Sequence, residues 1–156
     1  MFRPMRRIRQ QVSEEACLEI LTAAPRGTLA VLGDDGYPYA VPLDFVYDGG
    51  CLYFHCAMEG HKLDAIRRCD KASFCVLSDG TQNPGEWWYC FTSVICFGRV
   101  RVLEDPDEAI PRLRQLAEKY NPSAADIAED MAKNAARALV LELKIEHMTG
   151  KRVQEK

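Results

Sequence analysis

Gly60, His61 and Lys62 stand at a corner between a strand pattern and a helix pattern, with two basic side chains side by side. Before them Cys51, Tyr53 and His55 alternate with Leu52, Phe54 and Cys56, the period of a half-buried strand. After them Leu63 and Ile66, three apart, mark the buried stripe of a helix. His61 and Lys62 therefore stand where a helix begins, and Gly60 supplies a permissive backbone at the corner. Unpaired N–H groups and the positive end of the helix dipole meet at that point. A cation there is unfavourable for the fold alone but suits a bound anion, so the pattern points to a phosphate site. The competing reading makes His61 and Lys62 ordinary solvated residues.

The elements that must position this corner follow in chain order. Ser13 caps a helix over residues 14–23, with Glu14 and Glu15 in its first turn and Cys17, Ile20, Leu21 and Ala24 as its stripe. Thr28 to Leu32 reads as a strand, and Asp34-Asp35-Gly36 as a hairpin turn. One strand is expected from Tyr37 to Tyr47. Pro38 and Pro42 fall on the same side of it and remove two ladder donors, so it must lie at an edge or carry a bulge. Backbone near Pro42 is then free to meet a ligand. A helix over 62–69 and a strand from Ala72 to Leu77 follow. Ser78 to Glu86 is a polar loop, and Trp87, Trp88 and Tyr89 after it read as core or interface.

Phe91 to Leu103 is a long strand, with Gly98 marking a bend or a close backbone approach. Asp105-Pro106 opens a helical segment to Tyr120, with the true start placed near Ile110 because Pro111 is awkward inside a helix. Asn121-Pro122 breaks it, Ser123 caps a second helix to about Ala136, and Leu139, Leu141, Leu143 and Ile145 alternate in the last strand. Meandering strands with few crossover helices predict an antiparallel barrel of about six strands with helices outside, mainly β with flanking helices. A single domain over residues 1–156 is expected, with a basic arm at 1–12 and a helical insertion at 104–136.

Composition narrows the function classes. A formal net charge of -3 gives the chain as a whole no basic face for nucleic acid. No apolar run reaches the length of a membrane span. Arg3, Arg6, Arg7 and Arg9 are followed by no hydrophobic segment, so no signal peptide is expected and the arm should dock on the body or on a partner. The seven cysteines are odd in number and make no C-x-x-C pair, which reads as reduced thiols in a cytoplasmic protein without a metal site.

Four stretches taken together resemble a known family: Tyr39-Ala40-Val41-Pro42-Leu43, Leu52-Tyr53-Phe54-His55, Glu59-Gly60-His61-Lys62-Leu63-Asp64 and Ser93-Val94-Ile95-Cys96-Phe97-Gly98. In this order they resemble the pyridoxamine 5'-phosphate oxidase-related FMN-binding split-barrel proteins, and within them the group of 5-nitroimidazole antibiotic resistance proteins. His147-Met148-Thr149-Gly150-Lys151 is similar to the closing strand of that group. The resemblance spans about Ile20 to Lys151. It implies a homodimer with FMN at the subunit interface. It implies phosphate contacts from His61, Lys62 and Ser93, the last within Thr92-Ser93-Val94. It also implies backbone contacts to the flavin ring from Val41, Pro42 and Leu43 and a ring-side place for His55. The Arg-rich substrate motifs of true pyridoxamine phosphate oxidases are not found, which counts against vitamin B6 oxidation.

The function expected on this resemblance is an FMN-dependent oxidoreductase that reduces a small acceptor such as a nitroaromatic. His55 would donate a proton or orient the ring, since an imidazole does either near neutral pH. Two alternatives stand beside it: a flavin store or sensor without turnover, and a related barrel that holds haem or a deazaflavin.

Overall fold

The computed structural model describes residues 2–154; Met1 of the arm and Glu155 and Lys156 at the other end lie outside the described residues. Among the described residues seven strands form one sheet in the order β2-β1-β5-β6-β7-β4-β3. They are β1 (Arg26–Leu32), β2 (Pro38–Asp44), β3 (Val46–Asp48), β4 (Cys51–Ala57), β5 (Lys71–Leu77), β6 (Phe91–Leu103) and β7 (Ala138–Val153). Every pairing is antiparallel. The helices are α1 (Glu14–Ala23), α2 (His61–Arg68), α3 (Pro106–Tyr120) and α4 (Ala124–Asn134). This is the antiparallel, helix-flanked barrel that the meandering strands predict, with seven strands instead of six, and its open edges fit the split barrel that the family resemblance implies.

The extra strand comes from Phe45. The stretch expected as one strand is divided there: β2 pairs with β1, from Arg26↔Asp44 to Leu32↔Pro38, whereas β3 pairs with β4. β2 and β3 are thus the two edges of the sheet, joined through one residue. Prolines at 38 and 42 are tolerated because an edge strand has one side without a ladder.

The core fills the inside of the curved sheet. Leu29, Leu52, Phe54, Phe74, Val76, Val94, Cys96, Leu141 and Leu143 are fully buried, and Leu21 and Cys17 of α1 close it. Ser13 caps α1 by accepting from the Ala16 amide. The two long strands, β6 and β7, shift register between Phe97 and Gly98. A Cβ at Gly98 would stand 2.0 Å from the Lys144 carbonyl oxygen, so the bend expected at this glycine is a close backbone approach.

Two expectations are corrected. α3 begins at Pro106, not near Ile110: the Asp105 side chain accepts from the Asp107 amide, proline suits the first helical position, and Pro111 is held inside the helix by the buried Leu113 and Leu116 beyond it. Trp87 is not core, since it is 79% exposed, and Tyr89 beside it is exposed as well. The basic arm docks on the body: Phe2 stacks on His147 with ring centres 4.5 Å apart, and the Val12 amide donates to the Gly150 carbonyl. Among the described residues no helix is long and apolar enough to cross a membrane.

Candidate functional site

The candidate site grows out of the break at Phe45. β3 pairs with β4 as Val46↔Tyr53 and Asp48↔Cys51. Continued past Phe45, that register would set Asp44 opposite His55 and Pro42 opposite Ala57. No ladder forms there, because β2 has turned to β1. The barrel is therefore open along a seam with residues 41–44 of β2 on one side and residues 55–57 of β4 on the other. The side chains of Val41 and Leu43 pack toward the core while Pro42 is exposed, so the seam presents mostly β2 backbone.

The last turn of α3 fixes this break. Phe45 is fully buried, edge-on to Phe74 at 4.9 Å. Its amide donates to the Tyr120 hydroxyl at 2.9 Å. The hydroxyl's own proton can go to the Phe45 or the Pro25 carbonyl. Lys119 Nζ donates to the carbonyls of Ala24 at 2.7 Å and Phe45 at 2.9 Å, and lies 4.2 Å from the centre of the Phe45 ring. Burial pushes the Lys119 ammonium below the usual lysine range, against the pull of Asp44. Burial also pushes the Tyr120 phenol up.

One end of the seam opens under α3 and α4. Tyr53, buried beneath α3, and exposed His55 share the outer face of β4, opposite the buried Leu52, Phe54 and Cys56. A cavity of about 430 Å³ lies above His55, with Asp44 at its rim and Leu113, Leu116, Ile127 and Met131 in its walls.

The other end of the seam runs into α2. Gly60 caps the helix at φ 134°, a backbone that side chains rarely adopt. Its carbonyl accepts from the amides of Leu63 and Asp64, which leaves those of His61 and Lys62 as the open donors of the first turn. No atom lies within 4 Å of where a Cβ on Gly60 would stand, so the space ahead of the helix is free. His61 is held in place: its ring stacks on Tyr39 at 4.2 Å and its Nε2 is 3.5 Å from Asp34, which Arg68 also binds. Lys62 makes no ion pair or hydrogen bond among the described residues, and its charge, with that of Arg67, opposes the burial that raises the Cys56 thiol.

Within the chain Gly60, His61, Lys62, His55 and the 41–43 backbone therefore share one seam. Ser93 and Val94 do not join them. Ser93 pairs with Leu77 and Lys151, at the end of β5 remote from α2. Six residues of β5 separate that position from the α2 side, about 20 Å at strand rise. Val94 points into the core and is fully buried. The expected three-residue grouping of His61, Lys62 and Ser93 is thus not formed inside a single chain, because β6 runs antiparallel to β5 and carries Ser93 away. Sequence reasoning also left out Tyr39, Asp44, Lys119 and Tyr120. Of these only Tyr39 falls in one of the four family-like stretches; Lys119 and Tyr120 lie 74 and 75 residues from Phe45, which they hold.

With the fold and seam described, comparison with known proteins places the chain in a family. It matches the family described as Pyridoxamine 5'-phosphate oxidase over residues 13–152 and belongs to that family. Among solved structures it is similar to a candidate 5-nitroimidazole antibiotic resistance protein from Bacteroides thetaiotaomicron, at 22% identity over 93% of this chain and 90% of that one, TM-score 0.76. It is similar to a FAD-binding protein from Mesorhizobium loti, at 26% identity over 92% of this chain and 97% of that one, TM-score 0.66. It is also similar to a FAD and haem binding protein from Mycobacterium smegmatis, at 26% identity over 94% of this chain and 74% of that one, TM-score 0.76. No curated protein matches it. The family resemblance carried by the four sequence stretches is thereby confirmed.

Proposed function

We propose that the chain is an FMN-binding flavoprotein that reduces a small acceptor. The observation that carries this reading is the seam itself. It has open amides and a free ammonium at the α2 end, exposed β2 backbone along its length, and an imidazole beneath a cavity at the far end. Tyr39 to Asp44 spans about 17 Å of strand, a length that suits a ring system with a phosphate-bearing tail laid along it.

In this reading the His61 and Lys62 amides and the Lys62 ammonium bind the phosphate, while Tyr39 and Asp34 keep the His61 ring in place. The backbone of Val41, Pro42 and Leu43 meets the ring edge, and Gly60 lets the chain turn close to the tail. His55 holds or donates a proton at its imidazole nitrogens. The flavin, when bound, supplies the electron-transfer chemistry. The Mesorhizobium and Mycobacterium neighbours are named as FAD-binding, which supports a flavin, and the open phosphate corner suits the terminal phosphate of FMN. Ser93 would reach the cofactor from a second subunit or at a part of it distant from α2, whereas Val94, fully buried in the core, makes no contact with it.

A homodimer fits this assignment. Leu77, Ile95, Phe97, Trp87 and Tyr89 leave apolar side chains exposed on and beside the outer face of β5 and β6, where a second copy would cover them. The test is to denature the purified protein and identify the released cofactor by mass, with light scattering on the intact sample. FMN released from a dimer supports the reading. Haem, a deazaflavin or no cofactor overturns the FMN assignment, and a cofactor-loaded monomer overturns the shared site.

A further inference from the structure

The cavity above His55 sits where the seam widens, and its walls come from the segment inserted between β6 and β7. Leu113 and Leu116 of α3 and Ile127 of α4 line it, although each is buried, so apolar side chains surround the space instead of filling it. Small residues line the gap where larger ones would fill it: Ala117 of α3, Ala135 just after α4 and Ala138 at the start of β7. The result is a space of about 430 Å³, within the usual range for a small-molecule site.

The polar groups around this space select by charge. Among the described residues the lining holds no lysine or arginine. Two carboxylates face it. Asp44 is paired from outside by Arg26 at 2.7 Å, and Asp130 accepts from the Asn134 amide at 2.7 Å. Lys119, in the last turn of α3, is committed to the carbonyls of Ala24 and Phe45. Asn121, Asn134 and the Tyr120 hydroxyl add neutral polar groups. His55 stands on the floor with no hydrogen bond among the described residues. An anion entering the cleft would meet two carboxylates and no free cation, while an apolar ring would meet leucine, isoleucine and methionine.

We propose that the α3–α4 cleft is the acceptor-binding site and that it takes an uncharged, single-ring aromatic compound while rejecting carboxylated and phosphorylated ones. This rests on the FMN reading only for what happens to the compound after it binds. Binding itself is a property of the cleft.

The experiment titrates the protein as purified with nitrobenzene, 4-nitrobenzoate and 4-nitrophenyl phosphate. It follows the methyl carbons of methionine in protein labelled at those positions, with the Met131 signal assigned by Met131→Leu. Nitrobenzene is expected to shift Met131, which faces the cleft, and to leave Met58 and Met148 unmoved. Both anions should bind at least about tenfold more weakly, a difference of 1.4 kcal/mol. Ala117→Phe fills the space from α3 and should abolish the Met131 shift with the released cofactor unchanged. Tighter binding of 4-nitrophenyl phosphate, or shifts at Met58 or Met148 without one at Met131, overturns the proposal. The methyl readout needs no variant that perturbs the fold. Failure of the FMN reading appears separately, in the mass of the released cofactor.

Discussion

Lys119→Met tests whether the end of α3 holds the barrel open at Phe45. The substitution keeps the aliphatic stem and removes the ammonium that donates to the carbonyls of Ala24 and Phe45. A hydrogen bond from a charged donor contributes roughly 1.5–3 kcal/mol. Two such bonds are lost, but the Phe45 carbonyl keeps the Tyr120 hydroxyl as a partner at 2.9 Å. The burial that lowers the Lys119 pKa shows that the ammonium also carries a desolvation cost, which the variant regains. The net loss is therefore about 2 kcal/mol, dominated by the unpaired Ala24 carbonyl. For a chain of this size that lowers Tm by roughly 4–8 °C. Thermal unfolding followed by far-UV circular dichroism reads it. Tyr120→Phe, which leaves the Phe45 amide without its acceptor, should be non-additive with Lys119→Met, since both act on one junction. A shift below about 1 °C, or strict additivity of the pair, would refute the claim that these residues act together to fix the break.

His55→Ala should leave cofactor content intact and slow the reoxidation of the reduced protein by nitrobenzene; unchanged rates across the pH range would make His55 a bystander. Burial pushes the Cys96 thiol up to about 12, above its unfolded value, so its contribution to stability is complete below about pH 9 and is lost as pH rises toward 12. Urea denaturation at pH 10 should show wild type losing about 1.4 kcal/mol relative to Cys96→Ala, each measured against its own stability at pH 7. Parallel pH profiles would show that Cys96 has no such linkage.

Much of the fold is written in local patterns that the structure keeps. Alternation in Leu139 to Ile145 and in Phe91 to Leu103 gave the long strands, because each is buried on one face only. Ser13 and Ser123 gave helix starts that hold, since capping is a contact of a few residues. The division of β2 from β3 was not legible. Phe45 continues the same alternation as Val41 and Leu43, and what breaks the strand is a pair of side chains from α3. The start of α3 was missed because a proline at 111 outweighed the stronger local signal of Asp105 and Pro106. At the site, the α2 corner was readable from Gly60-His61-Lys62, whereas the seam between Asp44 and His55 was not, because it opens only where β2 leaves β4 to pair with β1.

In the proposed assignment the start of α2 reads a phosphate. Lys62 supplies a free charge beside two open amides, and a charge-assisted hydrogen bond contributes roughly 1.5–3 kcal/mol. Lys62→Ala should weaken FMN by about tenfold to a hundredfold, 1.4 kcal/mol being a factor of ten. Riboflavin lacks the phosphate and should lose little from the same change. The deciding measurement titrates apo-protein with FMN and with riboflavin, wild type against Lys62→Ala. A loss confined to FMN is the predicted result. Equal losses for the two flavins, or no loss for either, would contradict the assignment.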